Sequence, residues 1–282
     1  MPKKHLRTLR GFLVGFYAMA KRCGFLSSEL ERALYSRAYF LYKRHSEARQ
    51  EEIIRRFARP GTVAVDVGAN IGYFTTVMAE AVGQTGAVLA FEPEEVNMRL
   101  LRAAIRRAGL SNTVLVPAAL GERNGRVALF LNLYNPADHR IYRFNGQAHV
   151  REVEMMTLDH YLDMQRETRP VSFIKIDVQG AELQVLRGIQ GTLARYPKVH
   201  LLLEFDPAML RAGGTDTREV AAFLCEMGFT PFLLGRSKTI QPSSWEAVEA
   251  RAKTEGYIDV VLSREPILEL TTAEPHAVTD VL

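Results

Sequence analysis

Cysteine, tryptophan and long apolar runs are all scarce in this sequence. The only cysteines are Cys23 and Cys225, far apart in a chain of 282 residues. They exclude a disulfide framework and a cysteine-rich zinc site, and they favour a reducing, cytoplasmic compartment. No apolar stretch reaches the roughly 18 residues of a membrane-spanning helix. With 47% hydrophobic residues, the composition is that of a globular protein and not of a disordered or fibrous one.

Excess charge is also small, at +4, but it is distributed unevenly. Residues 1–60 hold 14 Lys and Arg against 5 Asp and Glu, a net of +9, and the other residues hold 22 against 27, a net of −5. Nucleic-acid binding requires a basic face on the working domain. We therefore expect no nucleic-acid partner.

The basic residues belong to a helical region that we expect over residues 1–59. Within residues 1–26, leucines and aromatics recur at helical spacing beside lysines and arginines. This pattern leaves three interpretations: packing on the main domain or on a second subunit of a homodimer, peripheral contact with an anionic membrane, and a signal peptide ending near Ala18–Ala20. Two further helices are predicted, one capped by Ser28 with Glu31 and one from about Ser46 to Ala58.

From residue 60 to residue 265, short apolar runs alternate with helix-like stretches. This alternation predicts an α/β fold, a Rossmann-like, mostly parallel and doubly wound sheet. A single helix is expected from about Ala181 to Arg195, and Asp216 with Glu219 predicts a capping box. Residues 266–282 form a weakly patterned tail. The expected strands are Val63–Val65, Val88–Phe91, Val114–Val116, Ser172–Ile176 and Val199–Leu203, closed by Phe229–Leu234 and Ile258–Leu262.

Two segments break this alternation. Arg126–Leu133 and Val150–Met155 both resemble strands, with a polar stretch between them. They predict an inserted β-hairpin or flap near the mouth of the sheet, where loops commonly carry substrate contacts.

Acidic residues end four of the expected strands: Asp66, Glu92, Asp177 and Glu204. Ligands bind beyond the carboxyl ends of strands in open α/β sheets, so these side chains predict a polar cleft there. The turn from Gly68 to Gly72 lets the backbone approach a ligand closely, and Glu92 has the spacing of a ribose-binding carboxylate. A dinucleotide would require G-x-G-x-x-G, which this turn lacks. An adenosine ligand with an amino-acid tail, S-adenosylmethionine, fits better.

The motifs resemble a known family. Asp66–Thr75 reads D-V-G-A-N-I-G-Y-F-T and resembles motif I of class I S-adenosylmethionine-dependent methyltransferases. Lys175–Glu182 reads K-I-D-V-Q-G-A-E, which differs only at Gln179 from the K-I-D-V-E-G-A-E string of the FkbM-type members. Phe91–Pro93, Pro117–Gly121 and Thr157–Leu162 are also similar to that family's pattern. The resemblance covers roughly residues 60–235.

The resemblance implies methyl transfer from S-adenosylmethionine, usually to a hydroxyl of a sugar or a natural-product alcohol. By position, it implies that four residues of the first loop surround the methionine tail of the cofactor: Asp66, Gly68, Asn70 and Gly72. It also implies that Glu92 holds the ribose and that Ala119 faces the adenine.

The residues themselves suggest candidates for the chemistry. Asp177 is the first candidate proton acceptor, because it ends the strand beside the expected methyl group. Lys175 lies on the same side of that strand and either forms a structural ion pair or helps to place the acceptor. His139, in the polar loop, is a second candidate base. Candidate substrate ligands are Arg140, Glu182 and Glu204.

Some alternatives stay open. Asp177, Glu204 and Asp206 offer oxygen ligands that would suit Mg²⁺ or Ca²⁺, but no ligand loop is recognisable, so we expect no metal. We expect an O-methyltransferase acting on a hydroxyl of a saccharide or natural-product small molecule. The rivals are N- or carboxyl-methylation of another small molecule, and a non-catalytic cofactor-binding scaffold at a membrane surface.

Overall fold

The structure is a computed structural model that describes residues 29–132, 135, 138–144, 149–235 and 239–267, with side chains from Arg37 onward. The amphipathic segment predicted over residues 1–26, the Ser28 cap and most of the predicted C-terminal tail lie outside the described residues. In the part of the chain that is described, no helix combines the length and the apolar character needed to cross a membrane.

Two helices come first, as the sequence predicts. They are α1 (Glu29–Ser46) and α2 (Ala48–Phe57). The apolar side of α2 carries Ile53, Ile54 and Phe57, which are buried against Ala64 and Phe173 of the sheet. Burial of each such side chain contributes roughly 1.5–3 kcal/mol. The second helix therefore shares the core of the following domain.

Eleven strands and eight further helices follow in the described residues. In chain order they are β1 (Val63–Val67), α3 (Tyr73–Val82), β2 (Ala87–Phe91), α4 (Glu95–Arg107), β3 (Thr113–Val116), β4 (Ala119–Leu120), β5 (Gly125–Phe130), β6 (Val150–Met156), α5 (Leu158–Gln165), β7 (Val171–Ile176), α6 (Glu182–Gly188), α7 (Gln190–Arg195), β8 (His200–Phe205), α8 (Pro207–Ala212), α9 (Thr217–Glu226), β9 (Thr230–Leu234), β10 (Ile240–Pro242), α10 (Trp245–Glu255) and β11 (Ile258–Ser263).

The main sheet has eight strands in the order β10-β9-β11-β8-β7-β1-β2-β3. Strands β8, β7, β1, β2 and β3 are parallel, whereas β11, β9 and β10 join through antiparallel pairs. Alternate residues of β7 enter different cores: Phe173 packs with α2 and α3, and Ile174 and Ile176 pack on the other face. The predicted mostly parallel, doubly wound sheet is confirmed.

The inserted segments form a small second sheet. Its order is β4-β6-β5, with β5 antiparallel to β6 along its whole length. The predicted β-hairpin is confirmed, and β4 ties it to the region that follows β3.

The single helix expected from Ala181 to Arg195 is wrong, because the chain breaks at Ile189 into α6 and α7. Asp159 explains the break: its carboxylate accepts hydrogen bonds from the backbone N–H groups of Gly191 and Thr192, each at 2.7 Å. These groups open the second helix and would otherwise lack partners. The capping box expected at Asp216 and Glu219 is confirmed.

Candidate active site

A cavity of about 300 Å³ lies at the carboxyl ends of the parallel strands. Its lining falls into two parts, following the strand order. The glycine-loop half, around the ends of β1 and β2, is lined by Gly68, Asn70, Phe91, Glu92 and Ala119 among others. The carboxylate half, around the ends of β7 and β8 and the start of β11, is lined by Lys43, Glu47, Lys175, Asp177, Glu204 and Asp259 among others.

The glycine loop is held by backbone contacts. The N–H groups of Gly68 and Ala69 both donate to the carbonyl oxygen of Phe91, at 3.1 and 3.0 Å. Gly68 has a φ of 81°, and a Cβ there would lie 2.0 Å from the carbonyl oxygen of Asp177. Only glycine fits this approach of the loop to the end of β7.

Glu92 ends β2 with its carboxylate held on both oxygens. Oε2 accepts the N–H of Asn70 at 2.8 Å, and Oε1 accepts the N–H of Glu94 at 2.8 Å. Burial raises the pKa of Glu92 to about 7. Because each oxygen of an ionised carboxylate can accept more than one hydrogen bond, Glu92 keeps capacity for the hydroxyls of a ligand.

Two residues predicted to surround the cofactor do not line the cavity. Asp66 is 1% exposed and accepts a hydrogen bond from the hydroxyl of Thr75 at 2.6 Å. Gly72 precedes α3, where a Cβ would lie 2.5 Å from Leu101. Both shape the loop from behind, whereas Gly68, Asn70, Glu92 and Ala119 reach the cavity.

The carboxylate half is organised around a buried ion pair. The Lys175 ammonium lies 2.9 Å from Oδ2 of Asp177 and 4.9 Å from the ring centroid of Phe74. Gln179 then connects two acids, since its Nε2 donates to Oδ1 of Asp177 at 2.8 Å and to Oε1 of Glu204 at 3.0 Å. Sequence motifs reveal Gln179 only as a departure from the family string and do not predict this bridge.

The acids of this half differ in their affinity for protons. Burial alone would raise the pKa of Asp177, but Lys175 and Lys43 hold it below its usual range. Burial and the nearby carboxylates of Asp177 and Asp259 raise the pKa of Glu204 well above its ordinary value. Burial and the charge of Glu47 raise the pKa of Asp259 to about 7.

Residues outside the range of the family resemblance, residues 60–235, complete this half, and motif analysis misses them. From α1 and the turn after it come Lys43 and Glu47, which pair at 3.0 Å, and Tyr39 and Tyr42 line the cavity beside them. Asp259 of β11 accepts a hydrogen bond from Gln50 at 2.5 Å. A charge inside the apolar run of β11 is the one sequence signal that could have revealed Asp259.

The polar-loop candidates behave differently from each other. His139 lines the cavity, but its Nδ1 accepts the N–H of Asn132 at 3.0 Å. In the neutral ring this assigns the hydrogen to Nε2, which makes Nε2 a donor and argues against the predicted role as base. Arg140 is 1% exposed and outside the lining, with its guanidinium 2.6 Å from Asp138 and 3.8 Å from the Phe144 ring centroid. Its contacts hold the loop and argue against the predicted substrate contact.

Glu182 also lies outside the lining. Its carboxylate accepts the N–H groups of Gly180 at 3.0 Å and Val178 at 3.3 Å, so it fastens the turn between β7 and α6. This contact argues against the predicted role as a substrate ligand. Asp177, Glu204 and Asp206 all line the cavity, but within the described residues no three His, Cys, Asp or Glu side chains are spaced to hold a metal ion.

Comparison with known proteins identifies the family. A model of the methyltransferase FkbM domain matches residues 66–231. The chain belongs to this family. The matched range contains both strings that suggested the resemblance and ends before β11, so it covers the glycine loop and excludes α1, α2 and Asp259.

A curated relative and two solved structures are similar to this chain. Methyltransferase 1 of Beauveria bassiana is 27% identical over 143 residues, 44% of this chain and 57% of that protein. Methyltransferase FkbM of Methylobacillus flagellatus is 17% identical with a TM-score of 0.46, covering 81% of this chain and 54% of that chain. The O-methyltransferase TomG of Streptomyces achromogenes, solved in complex with SAM, is 13% identical with a TM-score of 0.45. The match covers 76% of this chain and 78% of that chain. The chain spans little more than half the length of the curated relative.

Proposed function

We propose that the protein is an S-adenosylmethionine-dependent O-methyltransferase that acts on a hydroxyl of a saccharide or another small natural product. The observation that carries the proposal is that one cavity has two unlike halves. One half suits a nucleoside with an amino-acid tail, and the other suits a polyhydroxylated molecule, because carboxylates accept hydrogen bonds from hydroxyl groups.

The glycine-loop half offers what S-adenosylmethionine requires. Glu92 would bind the ribose hydroxyls through the remaining lone pairs of its carboxylate. Phe91, Ala119 and Leu120 supply an apolar slot for the adenine. Gly68 and Asn70 border the space for the methionine tail, with Asp66 and Gly72 supporting the loop from behind. When bound, the cofactor supplies a methyl group activated by a sulfonium.

The carboxylate half would orient the acceptor. Lys175 and Asp177 form a fixed donor and acceptor pair for one hydroxyl, and Glu204 accepts a second. Tyr42 and Tyr257 offer rings that a sugar face can contact. Orientation of this kind is a large part of catalysis for a displacement that already has a good leaving group.

The test is incubation of the full chain with methyl-labelled S-adenosylmethionine and an extract of host glycans and small molecules, followed by mass spectrometry of the labelled product. A methyl ether on a sugar or alcohol is the expected result. Tight binding of the demethylated cofactor without any labelled product would instead support the non-catalytic scaffold, and absence of cofactor binding would overturn the proposal.

One observation favours a second acceptor class. Glu47, Asp177, Glu204 and Asp259 bring four carboxylates to one half of the cavity, against Lys43 and Lys175. The oxygens of these carboxyl groups can also accept hydrogen bonds from an amine, and a methylated nitrogen in the labelled product would identify N-methylation.

The organisation of the chain is proposed as a helical region over residues 1–59, a methyltransferase domain over residues 60–265 and a tail over residues 266–282. A cytoplasmic location, with residues 1–26 contacting an anionic membrane or a second subunit, is part of the same proposal. Its basis is the basic amphipathic pattern of residues 1–26. Sedimentation with anionic liposomes, with and without residues 1–26, tests it.

A further inference from the structure

We propose that Glu204, rather than Asp177, accepts the proton that the acceptor hydroxyl loses during methyl transfer. This assignment rests on the proposed function and deepens it. It concerns the two carboxylates that the amide of Gln179 connects at the ends of β7 and β8.

The hydrogen bonds of Asp177 make it a poor proton acceptor. Its Oδ2 contacts the Lys175 ammonium at 2.9 Å and its Oδ1 accepts Nε2 of Gln179 at 2.8 Å, so both oxygens already hold a donor. Lys175 is 3% exposed. Protonation of Asp177 would leave that buried ammonium without its closest counter-charge, which is costly.

Glu204 has the opposite surroundings. Its Oε1 accepts Nε2 of Gln179 at 3.0 Å, while no hydrogen bond from the described residues reaches Oε2 and no described cation lies within ion-pair distance of the carboxylate. Because Glu204 lines the cavity and β8 adjoins β7, Oε2 is available to a hydroxyl held beside Asp177.

The charges around Glu204 also favour proton capture. The charged groups around it are Lys175 of β7, Asp177 directly after that strand, Glu182 of α6 and Asp259 of β11, which is its register partner. Beyond Asp259 lie Glu47 and Lys43, which pair with each other. The acids outnumber the cations, and nearby negative charge together with burial raises the pKa of Glu204.

Gln179 holds the carboxylates of Asp177 and Glu204 in these two different arrangements. It adopts a left-handed backbone conformation, with φ at 57°, and its one amide nitrogen donates to both carboxylates. A neutral amide can bridge two carboxylates without adding charge, so Asp177 stays paired with Lys175 and Glu204 keeps its free oxygen.

The step balances as a single displacement. The acceptor oxygen forms the new bond to the methyl carbon, the methyl–sulfur bond breaks with its electron pair remaining on sulfur, and the hydroxyl proton passes to Oε2 of Glu204. Water then takes that proton when the products leave.

The first test needs no acceptor. In protein saturated with S-adenosylhomocysteine and carrying ¹³C-labelled glutamate carboxyls, the Glu204 resonance is assigned by its loss in Glu204→Gln. An ordinary glutamate titrates with a midpoint near 4.3, and we expect the midpoint of Glu204 to lie above that value. The Glu204 midpoint should fall in Asp259→Asn, because this variant removes a neighbouring negative charge. A midpoint at or below the ordinary value would overturn the proposal.

The second test is kinetic, with methyl-labelled S-adenosylmethionine and a panel of free hexoses and their methyl glycosides. Glu204→Gln is expected to lower kcat by about 10²–10⁴-fold and to remove the ascending limb of the pH–rate profile, whereas Asp177→Asn keeps that limb. Glu204→Asp should recover part of kcat, and Glu226→Gln, an exposed helix position, is the matched control.

A pH–rate limb that survives in Glu204→Gln and disappears in Asp177→Asn would return the role to Asp177. If the unaltered protein methylates no member of the panel while binding cofactor, the proposed acceptor class fails, and a low midpoint in the carboxyl titration would still overturn the assignment of Glu204. Equal cofactor affinity in Glu204→Gln and the unaltered protein verifies that the variant is folded.

Discussion

The two halves of the cavity differ in how they are built. The glycine-loop half is made by neighbouring strand ends within residues 66–231, and backbone atoms set its shape, as in the approach of Gly68 to Asp177. The carboxylate half combines Lys43, before that range, with Asp259, after it. The range matched by the family model therefore contains the glycine-loop half, while segments outside that range supply Lys43 and Asp259 to the carboxylate half.

The largest effect is expected from a substitution that disrupts the backbone of the glycine-loop half. In Gly68→Ala, the new Cβ would lie 2.0 Å from the carbonyl oxygen of Asp177 on a backbone with φ at 81°, so we expect a loss of about 3–5 kcal/mol in the free energy of unfolding. Denaturant unfolding measures it. Gly214→Ala is the matched control, because φ there is 85° and nothing lies within 4 Å of the added Cβ. Equal losses in both variants would contradict the packing argument.

A site at the other end of the sheet belongs to neither half and should affect stability alone. His200 stacks on Phe57 with ring centroids 4.1 Å apart, and burial followed by the charge of Arg59 lowers its pKa to about 4. The folded state therefore keeps the ring neutral while the unfolded chain binds a proton below about pH 6.5. Stability present above pH 6.5 should fall by roughly 2–3 kcal/mol as the pH drops to 4.

Chemical unfolding at pH 7 and pH 4.5 tests this effect of His200. In His200→Leu the part of the pH dependence due to this ring should vanish, while the affinity for S-adenosylhomocysteine at pH 7 stays within about twofold. An unchanged pH dependence in the variant would show that other groups dominate acid destabilisation.

Glu92 tests the glycine-loop half at the ligand level. Because its pKa is about 7, the carboxylate is ionised at pH 8 and largely protonated at pH 6, so S-adenosylhomocysteine should bind more weakly at pH 6. Glu92→Gln keeps a carbonyl acceptor and loses the charge, and we expect a loss of about 1.5–3 kcal/mol in binding free energy. Calorimetry at both pH values measures it, and the variant should lose most of the difference between them.

The smallest effect is expected in the carboxylate half, where it tests the contribution of Lys43. Lys43 pairs with Glu47 and lowers the pKa of Asp177. In Lys43→Met we expect the rate at which the glycoside panel is methylated to fall roughly tenfold, corresponding to about 1.4 kcal/mol. Arg44→Met is the matched control, since Arg44 neighbours Lys43 on α1, is exposed and lies outside the lining. Equal rates in the two variants would remove α1 from the acceptor site.

The difference between the two halves of the cavity also explains which parts of the site the sequence could predict. Alternating apolar runs predict the sheet and the hairpin because burial on one or two faces imposes a period. Gly68 and Glu92 are predictable because their roles depend on neighbouring strand ends and short loops. Lys43 and Asp259 reach the cavity only through tertiary packing.

The wrong predictions also arise from contacts that a sequence pattern does not show. Arg140 and Glu182 carry the right chemical groups in the right segments, but local partners engage both. The break at Ile189 depends on Asp159, about thirty residues earlier, which no helical period reveals. Sequence patterns identify candidate groups, and only the fold decides which of them face the cavity.

The central claim is that one half of the cavity binds the cofactor and the other half binds the acceptor. Titration of S-adenosylhomocysteine into the unaltered protein, Glu92→Gln and Lys43→Met at pH 8 tests it most directly. We predict tight binding to the unaltered protein, a Kd raised about tenfold or more in Glu92→Gln, and a Kd within about twofold in Lys43→Met. Absence of binding to the unaltered protein, or an equal loss in the two variants, would contradict the claim.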